Sequence, residues 1–254
     1  MASTVTATAF SMPSVNHAVN EDAVLLGAVA PVENLHRPIQ VVQPAGRPVV
    51  LAVADGLGGH PGGDVASRMV TAQLARRAGS LVSEEAVVRA VQEVNAALYD
   101  AMAARPDLAG MGSTLAALVV CEASLVWCNV GDSQAFVWDP PYLVQLSVDD
   151  VPQGPVTGRV TQTMGGLSSF AGVDPHAGTE KLRFPGRYLL CSDGLTKIFQ
   201  PRELEDAMAG PALRLAGAIA AEAVERGCPD DCSVVIVDID GPAPDEPAWA
   251  EELA

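Results

Sequence analysis

Short apolar runs that end at Asp or Gly recur along the chain and predict β-strands. They are rich in Val, and their length is typical of strands rather than helices. The middle run also has the pattern of a meander, with turns at 122–124 and 131–133. The runs are RPVVLAVADG (47–56), STLAALVVCEASLVWCNVGDSQAFVWDP (113–140), RYLLCSDG (187–194) and CSVVIVDID (232–240).

Three longer stretches repeat apolar residues at helical spacing. The stretch 62–79 follows a glycine-rich loop and predicts one helix. The stretch 83–104 opens with a Ser, has acidic residues in its first turn and repeats apolar residues at i, i+3 and i+4. The stretch 201–227 predicts two helices, split at Gly210 and Pro211.

The order of these elements favours an α+β fold. Strands are followed by two helices, then many strands, then two helices and a last strand. This segregation predicts antiparallel sheets with helices packed outside them, and it argues against a parallel βαβ series. The stretch 147–178 is rich in Gly, Pro and Ser and predicts a loop. We expect one domain at 1–240, followed by an acidic, loose C-terminal tail at 241–254.

Composition and charge narrow the classes of function. The chain has 254 residues, of which 49% are hydrophobic and 18% charged, as is typical of a globular protein. Its net charge of −16 disfavours binding to nucleic acid, which depends on cationic contacts with phosphates, and is compatible with bound metal cations. No run reaches about 18 uninterrupted apolar residues, so no membrane span is expected.

The cysteines and the N-terminal residues suggest a cytoplasmic protein. The cysteine count of five is odd, no CxxC pair occurs, and three of the cysteines lie inside apolar runs. They fit small buried hydrophobic residues in a reducing compartment. The N-terminal residues have no basic start followed by an apolar segment, so no secretory signal is expected. We expect a monomer in the cytoplasm.

The loop GLGGHPGGD at 56–64 either cradles a phosphate or provides clearance around an acidic residue. A nucleotide-binding loop needs the pattern GxGxxG, or GxxxxGK followed by Ser or Thr. Here Pro61 stands where the third Gly of the first pattern would be, and no Lys follows. Asp55 and Asp64 would also repel a phosphate, so the sequence argues against a phosphate cradle.

Acidic residues recur at the ends of separate predicted strands. Asp is ordinary in turns, so each residue taken singly fits a structural role. If the turns converge at one end of a sheet, the carboxylates repel one another unless a cation neutralises them. Oxygen ligands without a His or Cys cluster favour Mg²⁺ or Mn²⁺, and two such ions can activate a water and clamp a phosphoryl group. The residues are Glu21, Asp22, Asp55, Asp132, Asp193, Asp230 and Asp231.

Seven short motifs follow one another over about residues 5–240. They are NEDA (20–23), DGLGGHPGGDVAS (55–67), GSTLAALVV (112–120), NVGDSQAFVW (129–138), VTQTMGG (160–166), SDGLT (192–196) and DDCSVVIV (230–237). In this order they resemble the motifs of bacterial type 2C protein phosphatases, the metal-dependent serine/threonine phosphatases. The resemblance implies a four-layer αββα sandwich, in which two antiparallel β-sheets are flanked by helices and the metals lie at one end.

The resemblance also implies roles for individual residues. Asp55 matches the aspartate that bridges two metal ions, and the carbonyl of Gly56 matches a ligand of one of them. The glycines would then let the backbone approach the ions. Asp193 and Asp230 match ligands of the first ion.

The remaining acidic residues match positions farther from the first ion. Glu21 matches an acid that acts on the second ion largely through water, and Asp22 matches its supporting partner. Asp132 matches the carboxylate that, with Asp193, holds a third and weaker ion in bacterial members. Asp231 stands where the family usually has Asn.

The implied reaction is hydrolysis of phosphoserine and phosphothreonine in proteins with two Mn²⁺ or Mg²⁺ ions, and a third in some members. A water that bridges two ions attacks phosphorus in one step, so Asp55, Asp193 and Asp230 carry catalysis and no cysteine nucleophile is needed. The implied partners are a phosphorylated protein substrate and a bacterial Ser/Thr kinase that the enzyme opposes. The alternative is a catalytically weak scaffold that binds phosphoproteins, which the complete set of carboxylates disfavours.

Three departures from the family pattern concern the rim of the site. His17 stands where an Arg commonly grips the substrate phosphate; it is either a weaker phosphate clamp or a surface residue without a role. Leu57 stands where eukaryotic members have a general-acid His, and His60 is interpreted as a loop residue. Asp150 replaces the usual His of an LSxDH-like motif, and only about nine residues separate it from VTQTMGG. We therefore expect the flap of the family to be reduced to a loop.

Overall fold

Two packed antiparallel sheets form the centre of the protein in a computed structural model, which describes residues 3–32, 34–35, 37–59, 61–152 and 159–241. The strands of the described ranges are β1 (Thr4–Met12), β2 (Asp22–Leu26), β3 (Val29–Val32), β4 (Ile39–Pro44), β5 (Val49–Asp55), β6 (Gly112–Ser113), β7 (Leu115–Val120), β8 (Ser124–Val130), β9 (Gln134–Asp139), β10 (Tyr142–Gln145), β11 (Met164–Gly165), β12 (His176–Lys181), β13 (Gly186–Cys191) and β14 (Cys232–Asp240). The helices are α1 (Gly63–Arg77), α2 (Glu84–Ala104), α3 (Asp193–Ile198), α4 (Pro201–Met208) and α5 (Ala212–Arg226).

Each main sheet has six strands. One has the order β10-β9-β13-β14-β1-β4, and the other has the order β12-β8-β7-β5-β2-β3. A small third sheet pairs β11 with β6. The main sheets face each other, and helices cover both outer faces, so the four-layer αββα prediction is confirmed.

Three apolar layers explain why the central strands are hydrophobic throughout. Along β5, Leu51 and Val53 pack between the two sheets, whereas Val50 and Ala52 pack under α1 and α2. A third layer lies between the other sheet and α3–α5, and Val234 belongs to it. Because both faces of these strands are buried, their sequences lack the alternation of a strand with one wet face.

The helix boundaries follow local signals in the sequence. Ser83 caps α2 by accepting a hydrogen bond from the backbone N–H of Ala86 at 3.3 Å. At the C-terminal end of α5, Gly227 adopts a left-handed conformation with φ of 63°. The predicted split of the last helical stretch at Gly210 and Pro211 is confirmed by α4 and α5.

Two predictions about strands were wrong in part. The meander prediction holds for β7 and β8, but β9 leaves their sheet and pairs with β13 and β10 in the opposite one. The turn at Gly131 has a φ of 92°, which glycine adopts without strain, and it redirects the chain between the sheets. The predicted loop at 147–178 also contains β11 and the start of β12.

Several sequence predictions fall on residues outside the described ranges. These are His60, residues 153–158 of the predicted short flap, and residues 242–254 of the predicted tail. Among the described residues, no helix has both the length and the apolar character needed to cross a bilayer.

Arg187 on β13 ties the outer helices to the sheet, and its removal should destabilise the fold. Its guanidinium donates to both carboxylate oxygens of Asp238, at 2.5 and 3.0 Å, and to the carbonyls of Met208 and Gly210, at 2.6 and 2.5 Å. Arg187→Met should lower the free energy of unfolding by about 3 kcal/mol, because it leaves a half-buried carboxylate and two carbonyls without their donor. Urea denaturation measures this change.

Arg183→Met is the matched control for that experiment. Arg183 is exposed, and its guanidinium lies 3.7 Å from Asp139 in a surface ion pair. Its replacement should cost less than about 1 kcal/mol. Equal losses in the two variants would show that Arg187 contributes no more than an ordinary surface charge.

Candidate metal centre

A cavity of about 730 Å³ opens at the end of the sandwich where the acidic strand ends meet. Asp55 ends β5, Asp132 lies in the turn between β8 and β9, and Asp193 begins α3 directly after β13. Asp230 precedes β14, and His17 follows β1. All five side chains line the cavity, so the fold brings together residues that are far apart in the sequence.

Asp22 and Asp55 lie opposite each other on neighbouring strands. They are partners in the antiparallel register of β2 and β5. Asp22 is fully buried, and one of its oxygens accepts a hydrogen bond from the hydroxyl of Ser192 at 2.7 Å. Asp22 does not line the cavity, so it lies behind Asp55 and supports it from the interior.

Gly56 occupies a position that only glycine fits. A Cβ atom there would collide with the backbone carbonyl of Gly63 and would lie 2.7 Å from the carbonyl oxygen of Glu21. The Gly56 N–H donates to the Glu21 carbonyl at 3.1 Å, and the Leu57 N–H donates to the Gly112 carbonyl at 2.9 Å. These backbone donors are already used, which agrees with the argument against a phosphate cradle at the start of this loop.

Asp193 and Asp230 share a cation from their own chain. The ammonium Nζ of Lys197 lies 2.5 Å from an oxygen of each carboxylate. The other oxygen of Asp193 is buried and has no hydrogen-bond partner among the described residues. Asp230 also accepts a hydrogen bond from the backbone N–H of Asp231 at 2.9 Å.

Burial and crowding raise the pKa values of the acidic groups. Burial, followed by the charges of Asp22 and Asp193, raises the pKa of Asp55 well above its usual range. Burial raises the pKa of Asp22 to about 8, although hydrogen bonds from serines oppose the shift. Burial and the charge of Asp193 raise the pKa of Asp132 to about 6. Burial also raises the pKa values of Asp193 and Glu21.

Asp231 organises the chain that carries His17 and Glu21. Its buried carboxylate accepts hydrogen bonds from the backbone N–H groups of Ser14, at 2.7 Å, and Glu21, at 2.6 Å. It also lies 2.9 Å from Nδ1 of His17. Asp231 therefore fixes the His17 ring at the cavity wall, and its carboxylate is used by these contacts.

Asp150 links the turn that carries Asp132 to the loop that lines the opposite wall. One carboxylate oxygen lies 2.9 Å from Nε2 of His176. The other accepts hydrogen bonds from the Gly131 N–H and the Gln162 amide, both at 2.9 Å. The Asp in place of the usual family His thus meets a His supplied by β12.

Sequence reasoning missed Lys197, Ser192 and His176. The sequence analysis did not predict α3, which begins at Asp193. Lys197 lies four residues after Asp193, a spacing that places both side chains on one face of a helix, so predicting this helix would have found it. Ser192 stands beside Asp193 in the SDGLT motif, but its hydrogen bond goes to Asp22 on the distant strand β2. His176 meets Asp150 because β12 pairs with β8. No local pattern reveals either contact. No cysteine of the described residues lines the cavity.

The donor set fits divalent metal ions. Carboxylate and carbonyl oxygens are the ligands that Mg²⁺ and Mn²⁺ prefer. The unpartnered buried oxygens of Asp193 and Asp22 and the raised pKa values show that the site lacks positive charge for the carboxylates it contains. Asp55, Gly56, Asp193, Asp230 and Asp132 line the cavity and could hold such ions.

Comparison with family models decides the classification. The model described as protein phosphatase 2C matches residues 38–224, which is more than half of the chain. The chain belongs to the protein phosphatase 2C family. This confirms the resemblance that the seven motifs indicated.

Two bacterial serine/threonine phosphatases are among the relatives of this chain. The chain is 32% identical over 210 residues to the serine/threonine protein phosphatase PstP of Mycobacterium tuberculosis, and the match covers 75% of this chain and 40% of that protein. The chain thus spans about two fifths of that relative's length. It is also 31% identical over 186 residues to the serine/threonine phosphatase stp of Listeria welshimeri, covering 63% of this chain and 71% of that protein.

A solved structure of the family has the same fold. The crystal structure of the catalytic domain of PstP, in complex with two manganese ions, superposes with a TM-score of 0.77. Its sequence is 28% identical, and the match covers 94% of this chain and 99% of that domain. The protein phosphatase 2C sandwich therefore extends over almost the entire chain.

The metal-free protein should lose stability as the pH rises from about 4 to about 8. The pKa of Asp22 in the folded protein, about 8, is above the ordinary value of 3.8. The folded state therefore keeps a proton that the unfolded chain releases, so the free energy of unfolding falls through this interval. Thermal melting in EDTA at several pH values measures the fall.

Asp22→Asn should reduce the loss, because the neutral amide has no charge to bury. Asp139→Asn removes an exposed acidic group on β9 and should leave the pH dependence as in the wild type. If the Asp22→Asn and wild-type proteins lose stability equally over this interval, the ionisation of Asp22 is not its cause.

Proposed function

We propose that this protein hydrolyses phosphoserine and phosphothreonine in proteins, with Mn²⁺ or Mg²⁺ ions as cofactors. The observation that carries the proposal is the convergence of Asp55, Asp132, Asp193 and Asp230 on one cavity, with raised pKa values for three of them. Membership of the protein phosphatase 2C family supports it, as do the two manganese ions in the related PstP catalytic domain.

The ligand roles in this proposal are those that the resemblance to the family implies, and the positions of the residues at the cavity support them. Asp55 would lie between two ions, with the Gly56 carbonyl on one of them, and Asp193 and Asp230 would hold the other. Asp132 lies where it could hold a third ion with Asp193, since the charge of Asp193 already affects its pKa. Glu21 would act on one ion through water.

Asp22 takes a supporting role in this proposal. Its buried carboxyl group accepts a hydrogen bond from Ser192 and lies opposite Asp55 on the neighbouring strand, so it supports the ligands from behind without entering the cavity. The Thr114 hydroxyl accepts a hydrogen bond from the Asp55 N–H at 3.2 Å and holds the end of β5 in place.

The chain's own residues orient the phosphate and the ions, and the ions, when bound, supply a water nucleophile at neutral pH. Asp231 faces Nδ1 of His17, so Nε2 is the ring nitrogen that remains for a substrate phosphate. The cavity volume of about 730 Å³ and its open mouth suit a side chain presented by a protein. In this role the enzyme would oppose a Ser/Thr kinase.

Hydrolysis of a phosphothreonine peptide should depend on added Mn²⁺ and on Asp55. We expect release of phosphate to rise with Mn²⁺ from zero, to stop in EDTA, and to fall by on the order of a hundredfold or more in Asp55→Asn, because one bridging charge is lost. A malachite green assay measures the phosphate.

Asp139→Asn is the control for that experiment, because it removes the same charge from an exposed position on β9. It should keep wild-type turnover. Saturable Mn²⁺ binding without turnover would instead support a phosphoprotein-binding scaffold. Turnover that is insensitive to EDTA and to Asp55→Asn would contradict the proposed metal centre.

His17→Arg should strengthen the binding of small phosphate esters. A guanidinium offers a paired, charged donor where the imidazole offers one nitrogen, so the KM for p-nitrophenyl phosphate should fall by about tenfold. Val15→Arg adds the same charge at an exposed position nearby and should leave KM unchanged. An equal KM in the His17→Arg and wild-type proteins would show that His17 does not contact the phosphate.

A further inference from the structure

Lys197 places a positive charge between two carboxylates of the candidate metal centre. Its ammonium nitrogen lies 2.5 Å from an oxygen of Asp193 and 2.5 Å from an oxygen of Asp230. The two oxygens therefore lie within twice that distance of each other, with the nitrogen between them. Both contacts come from one side chain that also lines the cavity.

The sequence places Lys197 there by helical spacing. Asp193 and Lys197 are the first and fifth residues of α3, so their side chains lie on the same face. Asp230 reaches this face from the turn before β14. The Lys197 side chain is 36% exposed, so its long stem can move the ammonium toward solvent without disturbing the core.

The ammonium and a metal ion would compete for the same oxygens. A divalent ion such as Mg²⁺ binds oxygen ligands at about 2.0–2.1 Å, so an ion held by the same two oxygens of Asp193 and Asp230 would need the space that Nζ now fills. The ammonium group and a metal ion held at the same two oxygens would repel each other strongly. Lys197 must therefore leave before an ion can bind these two oxygens.

We propose that Lys197 is a built-in competitor of the metal ion: it holds Asp193 and Asp230 together in the metal-free protein, and it weakens metal binding because it must be displaced. This inference rests on the proposed assignment of Asp193 and Asp230 as metal ligands. It makes Lys197 a residue that sets the metal concentration at which the site fills.

The affinity for Mn²⁺ tests the proposal directly. Lys197→Met keeps the length of the side chain and removes the charge. It should tighten Mn²⁺ binding by roughly tenfold, as expected for the loss of two partly exposed ion pairs that binding otherwise breaks. Titration followed by electron paramagnetic resonance of free Mn²⁺ measures the dissociation constant without a substrate.

The chain offers a matched control, because Lys181 is its only other lysine. Lys181 is exposed at the end of β12 that pairs with Ser124, whereas the opposite end of β12 pairs near the Asp132 turn. Lys181→Met therefore changes the net charge equally and should leave Mn²⁺ affinity as in the wild type. Equal or weaker binding in Lys197→Met than in the wild type would overturn the proposal.

Thermal stability separates competition from an ordinary structural role. In EDTA, Lys197→Met should melt below the wild type, because Asp193 and Asp230 lose their shared cation. At saturating Mn²⁺ the two proteins should melt at similar temperatures, because the wild-type lysine no longer contributes there. A loss of the same size in both conditions would indicate that Lys197 only stabilises the fold.

Nuclear magnetic resonance of the wild type tests displacement even if Lys197→Met does not fold. Lysine labelled with ¹³C gives two Cε signals, and Lys181→Met assigns them. Titration with diamagnetic Mg²⁺ should shift the Lys197 signal saturably and leave the Lys181 signal in place. A Lys197 signal that stays fixed while Mg²⁺ binds would overturn the proposal.

The failure of the proposed metal centre would give a different result. If the wild type shows no saturable Mn²⁺ binding, or if the Asp230→Asn variant binds Mn²⁺ as tightly as the wild type, Asp230 is not a metal ligand. The competition with Lys197 then has no basis. Saturable binding that Asp230→Asn abolishes, combined with no change in affinity in Lys197→Met, would reject only the role of Lys197.

Discussion

Mutual repulsion among buried carboxylates is the constraint on which this structure depends. Asp22 and Asp55 face each other across β2 and β5, and Asp132, Asp193 and Asp230 approach from three further turns. Because water cannot screen them fully, burial and neighbouring charges raise the pKa values of Asp22, Asp55, Asp132 and Asp193. A fold that gathers these groups needs positive charge at the same place. Gathering these carboxylates destabilises the folded state, and the buried hydrophobic layers of the sandwich offset that cost.

Polar side chains around the cavity reduce the repulsion among the carboxylates, each by a contact with one or two of them. Ser192 donates to Asp22, and Lys197 neutralises part of the charge on Asp193 and Asp230. Asp231 and Asp150, in contrast, have both carboxylate oxygens engaged by the chain around them. Asp231 contacts two backbone N–H groups and a histidine, and Asp150 contacts one backbone N–H group, a glutamine amide and a histidine. The same residue type therefore fills two roles, and only its hydrogen-bond partners distinguish them.

The sequence predicted the layers and the acidic ends of the strands well, because those depend on local patterns. Apolar runs that stop at Asp55 or Asp193 identify both the strand and the residue at its end. The pairing partners of a strand could not be predicted in this way. β9 pairs with β13, which lies far along the chain, and no turn signal revealed that β9 changes sheets. The Asp150–His176 contact was equally hidden, because it requires β12 to pair with β8. Motif order recovered candidate ligands, whereas the groups that neutralise or orient them required the three-dimensional structure.

The position of β14 makes assembly of the site depend on a strand that follows all the other described strands in the sequence. This strand is the last described one in the sequence, yet it lies inside its sheet, between β1 and β13. Asp230 and Asp231 immediately precede it. On the ribosome, β1 and β13 emerge with unpaired edges that can recruit other chains until β14 is released and inserts between them. Insertion completes the sheet and brings both aspartates into place together, so the candidate metal centre stays incomplete in a nascent chain until its sheet is closed.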